Sequence, residues 1–235
     1  MPELPEVQTT IDGIRPYLID KKILDCNISV KKLRWKIDKD ICKNLTNSKI
    51  IDVSRRAKYI IISGKEFFLT LHLGMTGTLR IAQENDIKKK HDHFELRLNS
   101  GYILRFNDPR KFGMIFFSKE SPLKENRLFL NLGPEPLGKN FNSDYLFKKS
   151  RNRNIAIKTL IMNANIVVGV GNIYASEALF LAKIRPQKIS NKLTKKNCED
   201  LSKSIKKVLR RAIKKGGSSI NDYINADGKS GYFQY

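Results

Sequence analysis

The chain has 235 residues, of which 45 are lysine or arginine and 23 are aspartate or glutamate, so its formal net charge at pH 7 is +22. A positive charge of this size indicates a polyanionic partner, most often nucleic acid. No apolar run approaches the roughly 18 residues of a transmembrane helix, and no apolar stretch follows a basic N-terminus, so the sequence indicates neither a transmembrane span nor a secretory signal.

Three cysteines stand far apart in the chain, at Cys26, Cys42 and Cys198, and none belongs to a CxxC pair. The sequence therefore excludes a four-cysteine zinc site, and the scattered odd number predicts reduced thiols in a cytoplasmic protein. His91 and His93 would share one face of a strand, but no third ligand accompanies them. We expect neither a metal ion nor another cofactor.

The first predicted element is a helix over Glu6–Leu18, because apolar residues recur there at the helical period of about 3.6. Gly13 weakens this helix. Pro16 is expected to disturb its last turn, since proline lacks the backbone N–H that a helix interior uses.

Beyond this helix the pattern changes to that of strands. Eight short runs rich in β-branched and aromatic residues are separated by turn residues such as Ser63-Gly64 and Asn107-Asp108-Pro109. The runs are Lys22–Val30, Lys49–Ser54, Tyr59–Ser63, Glu66–His72, Gly77–Ile81, His93–Leu98, Tyr102–Asn107 and Gly113–Ser118. So many short strands in succession predict an antiparallel sandwich or barrel.

A connector rich in proline and glycine follows Ser118, and helical patterns begin after Asn142. They cover Ser143–Lys149, Ile155–Met162, Asn172–Ala182 and Thr194–Lys215, whereas Gly216–Tyr235 is predicted to be a mobile loop. Between Tyr145 and Lys215 there are 18 lysines and arginines against 3 acids, which favours a phosphate-facing domain over a solvated basic face. We expect an α+β chain with a catalytic β domain at 1–118, a connector at 119–142 and a helical domain at 143–235.

The opening stretch Met1-Pro2-Glu3-Leu4-Pro5-Glu6 permits a specific chemistry. Proline in second place favours removal of the initiator Met, and an α-amino group with a pKa of about 7.7–8.0 is partly neutral at pH 7. A secondary amine of this kind can attack C1′ of a sugar and form an iminium, while Glu3 beside it moves a proton. An ordinary helix start, with Pro5 in the first turn and the glutamates at the positive end of the dipole, is the alternative interpretation.

Two other stretches could hold phosphate. Arg55-Arg56-Ala57-Lys58-Tyr59 lies at a strand entrance, where the arginines could clamp a phosphate and Lys58 could supply a charge or a proton. A plain basic rim is the alternative. Val168-Gly169-Val170-Gly171-Asn172-Ile173-Tyr174 is a glycine-rich loop entering a helix, with Asn172 as a possible cap, and its N–H groups could bind a backbone phosphate of nucleic acid.

Two tight turns carry side chains that suit base extrusion. The turn over 72–77 carries Met75, and the turn over 108–113 carries Arg110 and Phe112. Apolar side chains on loop tips can wedge between base steps, and an arginine can occupy the place that an extruded base leaves. Ordinary core residues near turns are the alternative.

Taken together, these stretches resemble the bacterial formamidopyrimidine-DNA glycosylase family, the base-excision enzymes for oxidised purines. The matching segments are PELPEV at 2–7, RRAKY at 55–59, HLGMTG at 72–77, HDH at 91–93, DPRKFG at 108–113, LGPEPL at 132–137, VVGVGNIYASEALF at 167–180 and DGKSGYF at 227–233. They occur in the family's order and span nearly the whole chain. The opening PELPE and the Met, Arg and Phe set favour this family over the sister endonuclease VIII branch.

The resemblance implies an N-terminal antiparallel β-sandwich that carries the first helix, a helical domain with a helix–two-turn–helix motif at the glycine-rich loop, and damaged duplex DNA in the cleft between them. It implies Pro2 as the nucleophile at C1′, Glu3 as the acid and base at the sugar, and Lys58 as an aid to base loss and β-elimination.

The DNA contacts that the resemblance implies fall into two groups. Met75, Arg110 and Phe112 would fill the gap left by the flipped lesion, with Arg110 reading the orphaned cytosine. His91 and Arg153 would contact DNA, and Asn172 a phosphate. The region 216–235 would fold over the flipped 8-oxoguanine.

The chain departs from the family where it stops at Tyr235, since the family's four-cysteine zinc finger follows that point and no cysteine lies beyond Cys198. Either the chain is a fragment of a longer protein or it is a naturally shortened form, and in both cases we expect no structural zinc in this chain. For a naturally shortened form we expect weaker DNA affinity and products shifted toward β-elimination. The leading hypothesis is a monomeric, nucleoid-associated glycosylase and abasic-site lyase. The alternatives are a non-catalytic or weakly active damaged-DNA-binding protein and a general nucleic-acid chaperone, which would show no preference for lesions.

Overall fold

The computed structural model describes residues 1–217. A long helix, α1 (Leu4–Leu18), precedes eight strands and one short helix in the first half of the chain. These elements are β1 (Ile23–Ile28), α2 (Ile41–Leu45), β2 (Ile50–Arg56), β3 (Tyr59–Gly64), β4 (Phe68–His72), β5 (Thr78–Gln83), β6 (Asp92–Leu98), β7 (Tyr102–Asn107) and β8 (Met114–Ser118). Each of the eight predicted strands is present.

The strands form two antiparallel four-stranded sheets, in the orders β1-β6-β7-β5 and β2-β3-β4-β8. Their apolar residues, with the buried face of α1, make one hydrophobic core. Val7, Ile11, Ile14 and Leu18 supply that face at the helical period, and each is at most 1% exposed. The sandwich and its N-terminal helix are therefore confirmed.

The expected disturbance of α1 at Pro16 is wrong. The helix continues through Pro16 to Leu18, and Ile19 N–H still donates to the Arg15 carbonyl at 3.1 Å. Proline this close to the end removes only one intrahelical hydrogen bond, and the full burial of Leu18 holds the last turn against the core.

Helices make up the second half. The four predicted helices are α5 (Ser143–Ser150), α6 (Ile157–Met162), α7 (Asn172–Leu181) and α8 (Lys195–Lys214), and they share a second hydrophobic core. The predicted connector contains two helical turns that the sequence did not predict, α3 (Pro122–Glu125) and α4 (Arg127–Leu130). Helices of four residues show no readable period, and α4 begins where the Asn126 side chain accepts a hydrogen bond from Leu128 N–H.

Two of the three cysteines are not reduced thiols, so that expectation is wrong for them. Cys26 on β1 and Cys42 on α2 form a disulfide, and only Cys198 is a free, buried thiol. The intervening segment folds back through a bridge between Lys32 and Lys36, which brings α2 beside β1. Sequence spacing alone does not show this approach. Within 1–217 no helix is both long and apolar enough to cross a membrane.

Candidate active site

One end of the sandwich gathers most of the sequence motifs. In the sheet β2-β3-β4-β8, one row of register runs from Arg56 to Tyr59, His72 and Met114. The turn that holds Lys58 and the two turns over 72–77 and 108–113 all continue from this row. The strand order therefore places these three turns at the same edge of the sheet.

Glu3 connects this end of the sandwich to the helical half. Its carboxylate accepts hydrogen bonds from the backbone N–H groups of Gly171 at 2.7 Å, Ile173 at 3.0 Å and Tyr174 at 3.4 Å, at the start of α7. Leu4 N–H donates to the Gly169 carbonyl at 3.0 Å. The positive end of α7 thus holds the carboxylate that the sequence analysis assigned to proton transfer.

The loop before α7 requires glycine because the start of α1 packs directly against its backbone. A Cβ atom at Gly171 would lie 2.3 Å from Glu3 Cδ, and one at Gly169 would lie 2.6 Å from Leu4 Cβ. Gly169 also has a φ of +78°, which favours glycine. The expectation that these N–H groups hold a phosphate is therefore wrong for Gly171, Ile173 and Tyr174, which bind Glu3 instead.

Burial sets the proton affinity of Glu3. Its side chain is 3% exposed, and burial is the largest cause of a raised pKa, with the neighbouring charge of Glu6 adding to it. The Ile173 and Gly171 hydrogen bonds and the charge of Lys58 act in the opposite direction. A carboxyl group with a raised pKa can hold a proton to give, which is the property of a general acid.

Lys58 lies in the two-residue turn between β2 and β3, after Ala57, whose φ is +55°. Burial lowers the pKa of Lys58, while the negative charges of Glu3 and Glu6 oppose that shift. A lysine with a lowered pKa loses its proton more easily than an exposed lysine does. The structure therefore brings Lys58 and Glu3 into one electrostatic cluster.

Arg55 and Arg56 do not form a phosphate clamp, so that expectation is wrong. Both bind Glu135 of the connector, Arg55 at 2.7 Å and Arg56 at 3.1 Å, and Ala57 N–H donates to the same carboxylate at 2.8 Å. Arg56 also donates to the carbonyls of Leu132 and Gly133. Glu135 thus fixes the turn that presents Lys58.

Replacing Glu135 with alanine tests that role. The change leaves two arginine side chains that are 11% and 22% exposed without their carboxylate, and it frees Ala57 N–H. We expect a loss of about 2–4 kcal/mol in the free energy of unfolding, measured by urea denaturation. Glu84→Ala is the control, because its ion pair with Arg97 is exposed and contributes less than about 1 kcal/mol. Equal effects of the two changes would contradict the assignment.

His72 is a partly buried histidine at the start of the Met75 turn. Its Nδ1 accepts a hydrogen bond from Gly74 N–H at 3.0 Å, which requires that nitrogen to carry no proton. Burial, followed by the charges of Lys58 and Arg34, lowers its pKa from 6.5 to about 4. His72 is therefore neutral at pH 7.

This lowered pKa makes stability depend on pH. Between pH 6.5 and about 4 the unfolded chain binds a proton at His72 that the folded chain does not, so stability falls as the pH falls through this window. At about 1.4 kcal/mol per pKa unit the full loss is roughly 3 kcal/mol. We expect His72→Asn, whose side-chain oxygen can also accept Gly74 N–H, to remove this part of the acid destabilisation in thermal denaturation followed against pH. An unchanged acid slope would contradict it.

The two loop-tip turns contact each other. A Cβ atom at Gly74 would lie 2.4 Å from the carbonyl carbon of Phe112, and the buried Asp108 carboxylate accepts from Thr76 Oγ1 at 2.9 Å and Gly113 N–H at 2.7 Å. The Arg110 guanidinium lies 4.7 Å from the Phe112 ring centroid. Phe112 is 46% exposed, Arg110 is exposed and Met75 is partly buried. The structure thus brings these three predicted residues to one place.

Of the three remaining predicted contact residues, two lie beside the turns or the start of α7, and one lies apart. His91 is partly buried, and its carbonyl accepts from Asp108 N–H at 3.0 Å beside the Arg110 turn. Asn172 is the first residue of α7 with an exposed side chain, but Gly171 is the N-cap, so the suggested cap at Asn172 is wrong. Arg153 is exposed between α5 and α6 and is not brought into either group.

Sequence reasoning missed the roles of Glu6, His72, Glu135 and Tyr174. All four lie in the quoted segments, but Glu6, Glu135 and Tyr174 act through partners far away in the chain, and the role of His72 depends on its burial in the fold. As for a metal, the 217 described residues contain no group of three or more His, Cys, Asp or Glu side chains placed to hold an ion. With Cys26 and Cys42 joined and Cys198 buried, the chain's cysteines do not fit a structural zinc.

The chain matches two protein-family models. Residues 1–115 match "Formamidopyrimidine-DNA glycosylase N-terminal domain", and residues 132–223 match "Formamidopyrimidine-DNA glycosylase H2TH domain". It is 47% identical over 233 residues to the formamidopyrimidine-DNA glycosylases of Pasteurella multocida (strain Pm70) and Haemophilus influenzae (strain PittEE). Each alignment covers 99% of this chain and 85% of the relative.

Solved structures of similar proteins contain DNA. A point mutant of the Lactococcus lactis FPG in complex with a Fapy-dG containing DNA has a TM-score of 0.90 and 34% identity, over 98% of this chain and 85% of that one. The L. lactis Fpg with an abasic site containing DNA has a TM-score of 0.89 and 33% identity, over 97% and 84% of the two chains.

Proposed function

The chain belongs to the formamidopyrimidine-DNA glycosylase family, and we propose that Pro2, Glu3 and Lys58 carry its chemistry. It is a base-excision DNA repair enzyme, a DNA glycosylase that removes oxidised purines and cleaves the resulting abasic site by β-elimination. Its partner is damaged double-stranded DNA. We further infer that it acts as a monomer, near the bacterial nucleoid, without a cofactor.

The nucleophile is the Pro2 nitrogen. In the printed chain Met1 is 53% exposed and Pro2 is buried, so removal of Met1 frees a secondary amine within the protected site. The amine nitrogen bonds to C1′ of the damaged nucleotide as the bond between C1′ and O4′ breaks and O4′ takes up a proton. The bond from C1′ to the base then breaks, the base leaves with a proton, and the nitrogen lone pair forms a cationic iminium.

Glu3 and Lys58 move the protons that these steps require. Ring opening needs a proton at O4′, and Glu3, whose pKa is raised, is the acid next to the nucleophile. Lys58, whose pKa is lowered, can take up a proton during base loss and elimination. Abstraction of a C2′ proton from the iminium then expels the 3′ phosphate.

The observation that best supports this proposal is the position of Glu3. A carboxylate with 3% exposure lies one residue from the chain's nucleophile, at the positive end of a helix and within the field of the partly buried Lys58. A protein that only bound DNA would have no need for a buried acid beside its N-terminal proline and a partly buried lysine near that acid. This favours the enzyme over the non-catalytic alternative.

We also propose that Met75, Arg110 and Phe112 fill the gap left by the flipped base. His91 and Arg153 contact DNA, and Asn172 contacts a phosphate. The supporting geometry is the joined pair of turns, which presents an exposed arginine stacked on an exposed aromatic ring. An apolar wedge compensates for part of the unstacking free energy of a few kcal/mol. The proposed lesion-covering loop falls mostly on residues 218–235, outside the described part of the chain.

Arg110→Ala tests the reading of the opposite base. We expect this change to reduce the preference for 8-oxoguanine opposite cytosine over 8-oxoguanine opposite adenine about ten-fold, because one bidentate base contact contributes roughly 1–3 kcal/mol. Competition binding with the two duplexes measures it. Arg97→Ala is a control, since Arg97 lies on β6 in an exposed ion pair with Glu84. An unchanged ratio in Arg110→Ala would count against the assignment.

The test of the proposed function is cleavage of a duplex that carries one 8-oxoguanine opposite cytosine, beside an undamaged duplex. We expect release of the base and scission at the lesion, with a 3′ sugar-aldehyde end as the β-elimination product. Binding of both duplexes without release from either would refute the catalytic assignment.

A further inference from the structure

Three hydrogen bonds join Glu3, Glu6 and Tyr174 into a closed ring. The Glu3 backbone N–H donates to Glu6 Oε2 at 2.8 Å, the Tyr174 hydroxyl donates to Glu6 Oε1, and Tyr174 N–H donates to Glu3 Oε2 at 3.4 Å. Glu3, Glu6 and Tyr174 are 3%, 2% and 1% exposed. The ring joins α1 to α7, and only one of its bonds uses a side-chain hydroxyl.

From this ring we propose that Tyr174 is a positioning residue for base release, acting through Glu6 on Glu3. The inference rests on the proposed role of Glu3 as the acid. The phenol is the charge-assisted donor to a buried carboxylate, and that carboxylate in turn fixes the backbone of Glu3. Tyr174 does not need to touch DNA to act in this way.

The phenol also affects where the site keeps its proton. Glu3 is faced by Glu6 from α1, by Lys58 from the turn between β2 and β3, and by the start of α7. The Tyr174 phenol holds the Glu6 carboxylate beside Glu3, and the charge of Glu6 helps to raise the pKa of Glu3. Without the phenol, Glu6 is no longer held in this place, and Glu3 loses its proton at lower pH.

The experiment is a double-mutant cycle of Tyr174→Phe and Glu6→Gln, followed by single-turnover base release from an 8-oxoguanine duplex at several pH values. We expect Tyr174→Phe to slow release about ten-fold at saturating DNA, with the half-saturating DNA concentration changed less than two-fold. We also expect the high-pH limb of the rate profile to move to lower pH in both single variants. If Tyr174 acts through Glu6, the double variant is no slower than Glu6→Gln alone.

Tyr145→Phe is the matched control, because it also removes a phenol hydrogen bond from the helical domain, a partly buried one to the Ile166 carbonyl at 2.9 Å. We expect it to alter thermal stability but neither the release rate nor the pH profile. Tyr174→Phe behaving like this control would overturn the inference, as would multiplying effects in the double variant. If Tyr174→Phe does not fold, Glu6→Gln alone decides, and an unchanged high-pH limb of its rate profile would overturn the inference.

A parallel Glu3→Gln variant separates this inference from the proposed function. Normal base release by Glu3→Gln would show that Glu3 is not the acid, and both proposals would fail. Slow release by Glu3→Gln with normal release by Tyr174→Phe would reject the role of Tyr174 alone.

Discussion

Glu3→Gln is expected to slow release of 8-oxoguanine by about a thousand-fold, within the range of roughly 10²–10⁴ for loss of a general acid or base. The amide is close to the carboxylate in shape but has no proton to give at neutral pH. Its NH₂ group would also face backbone N–H donors of Gly171, Ile173 and Tyr174, which need an acceptor. Single-turnover base release with purified duplex measures this effect.

A second prediction for Glu3→Gln concerns strand scission at preformed abasic sites. There the base is already gone and the hemiacetal sugar opens to its aldehyde without Glu3, so the Pro2 amine can condense with it directly. We therefore expect strand scission to fall much less than base release does. Glu66→Gln is the control, since Glu66 is exposed at the start of the β4 hairpin. Equal losses on both substrates would indicate that Glu3 serves the fold or the nucleophile rather than the proton transfer.

Gly171→Ala is expected to lower base release about a hundred-fold. The backbone φ of Gly171 is −116°, which alanine adopts without strain, so the damage comes from space alone. The added Cβ would lie 2.3 Å from Glu3 Cδ and 2.4 Å from Oε1, and Glu3 must move away from the α7 N–H groups. A displacement of about 1 Å at a catalytic group can cost this much in rate.

The control for Gly171→Ala is Gly138→Ala. A Cβ at Gly138 would lie 3.3 Å from the Glu135 carbonyl oxygen, a contact that a small shift relieves, and at an ordinary 3.9 Å from Glu135 Cβ. We expect near-normal activity from it. The half-saturating DNA concentration of Gly171→Ala should stay close to that of the unmodified protein, because DNA does not occupy the space that the methyl group takes. A large loss of DNA affinity with an unchanged rate at saturating DNA would show that displacement of Glu3 from the α7 N–H groups is not the cause of the lost activity.

The sandwich could be predicted well because its strands and first helix are specified by short stretches of sequence. Runs such as Tyr102–Asn107 combine β-branched and aromatic residues between clear turns, and α1 shows its buried face through the spacing of Val7, Ile11 and Ile14. The connector was harder, since α3 and α4 are each four residues long and depend on local capping rather than on a period.

The candidate site was predicted only in part, because its geometry depends on distant partners. Nothing local shows that Gly171 N–H will bind a carboxylate 168 residues away, and so the glycine-rich loop was interpreted as a phosphate cradle. Arg55 and Arg56 likewise allowed a phosphate clamp as one interpretation of the sequence, whereas in the structure both bind Glu135. The pairing of Cys26 with Cys42 depends on how the chain folds back between β1 and α2. Motifs identified the residues, and only the fold identified their partners.

The central claim is that the Pro2 nitrogen attacks C1′, and borohydride trapping tests it most directly. Borohydride reduces an iminium to a stable amine, so an 8-oxoguanine duplex and an abasic duplex should each become covalently attached to the protein, through Pro2 when the adduct is mapped. An undamaged duplex and a Pro2→Gly variant serve as controls, and we expect little or no adduct from either. If Met1 is removed, DNA is bound, and neither damaged duplex yields an adduct, the proline mechanism is contradicted.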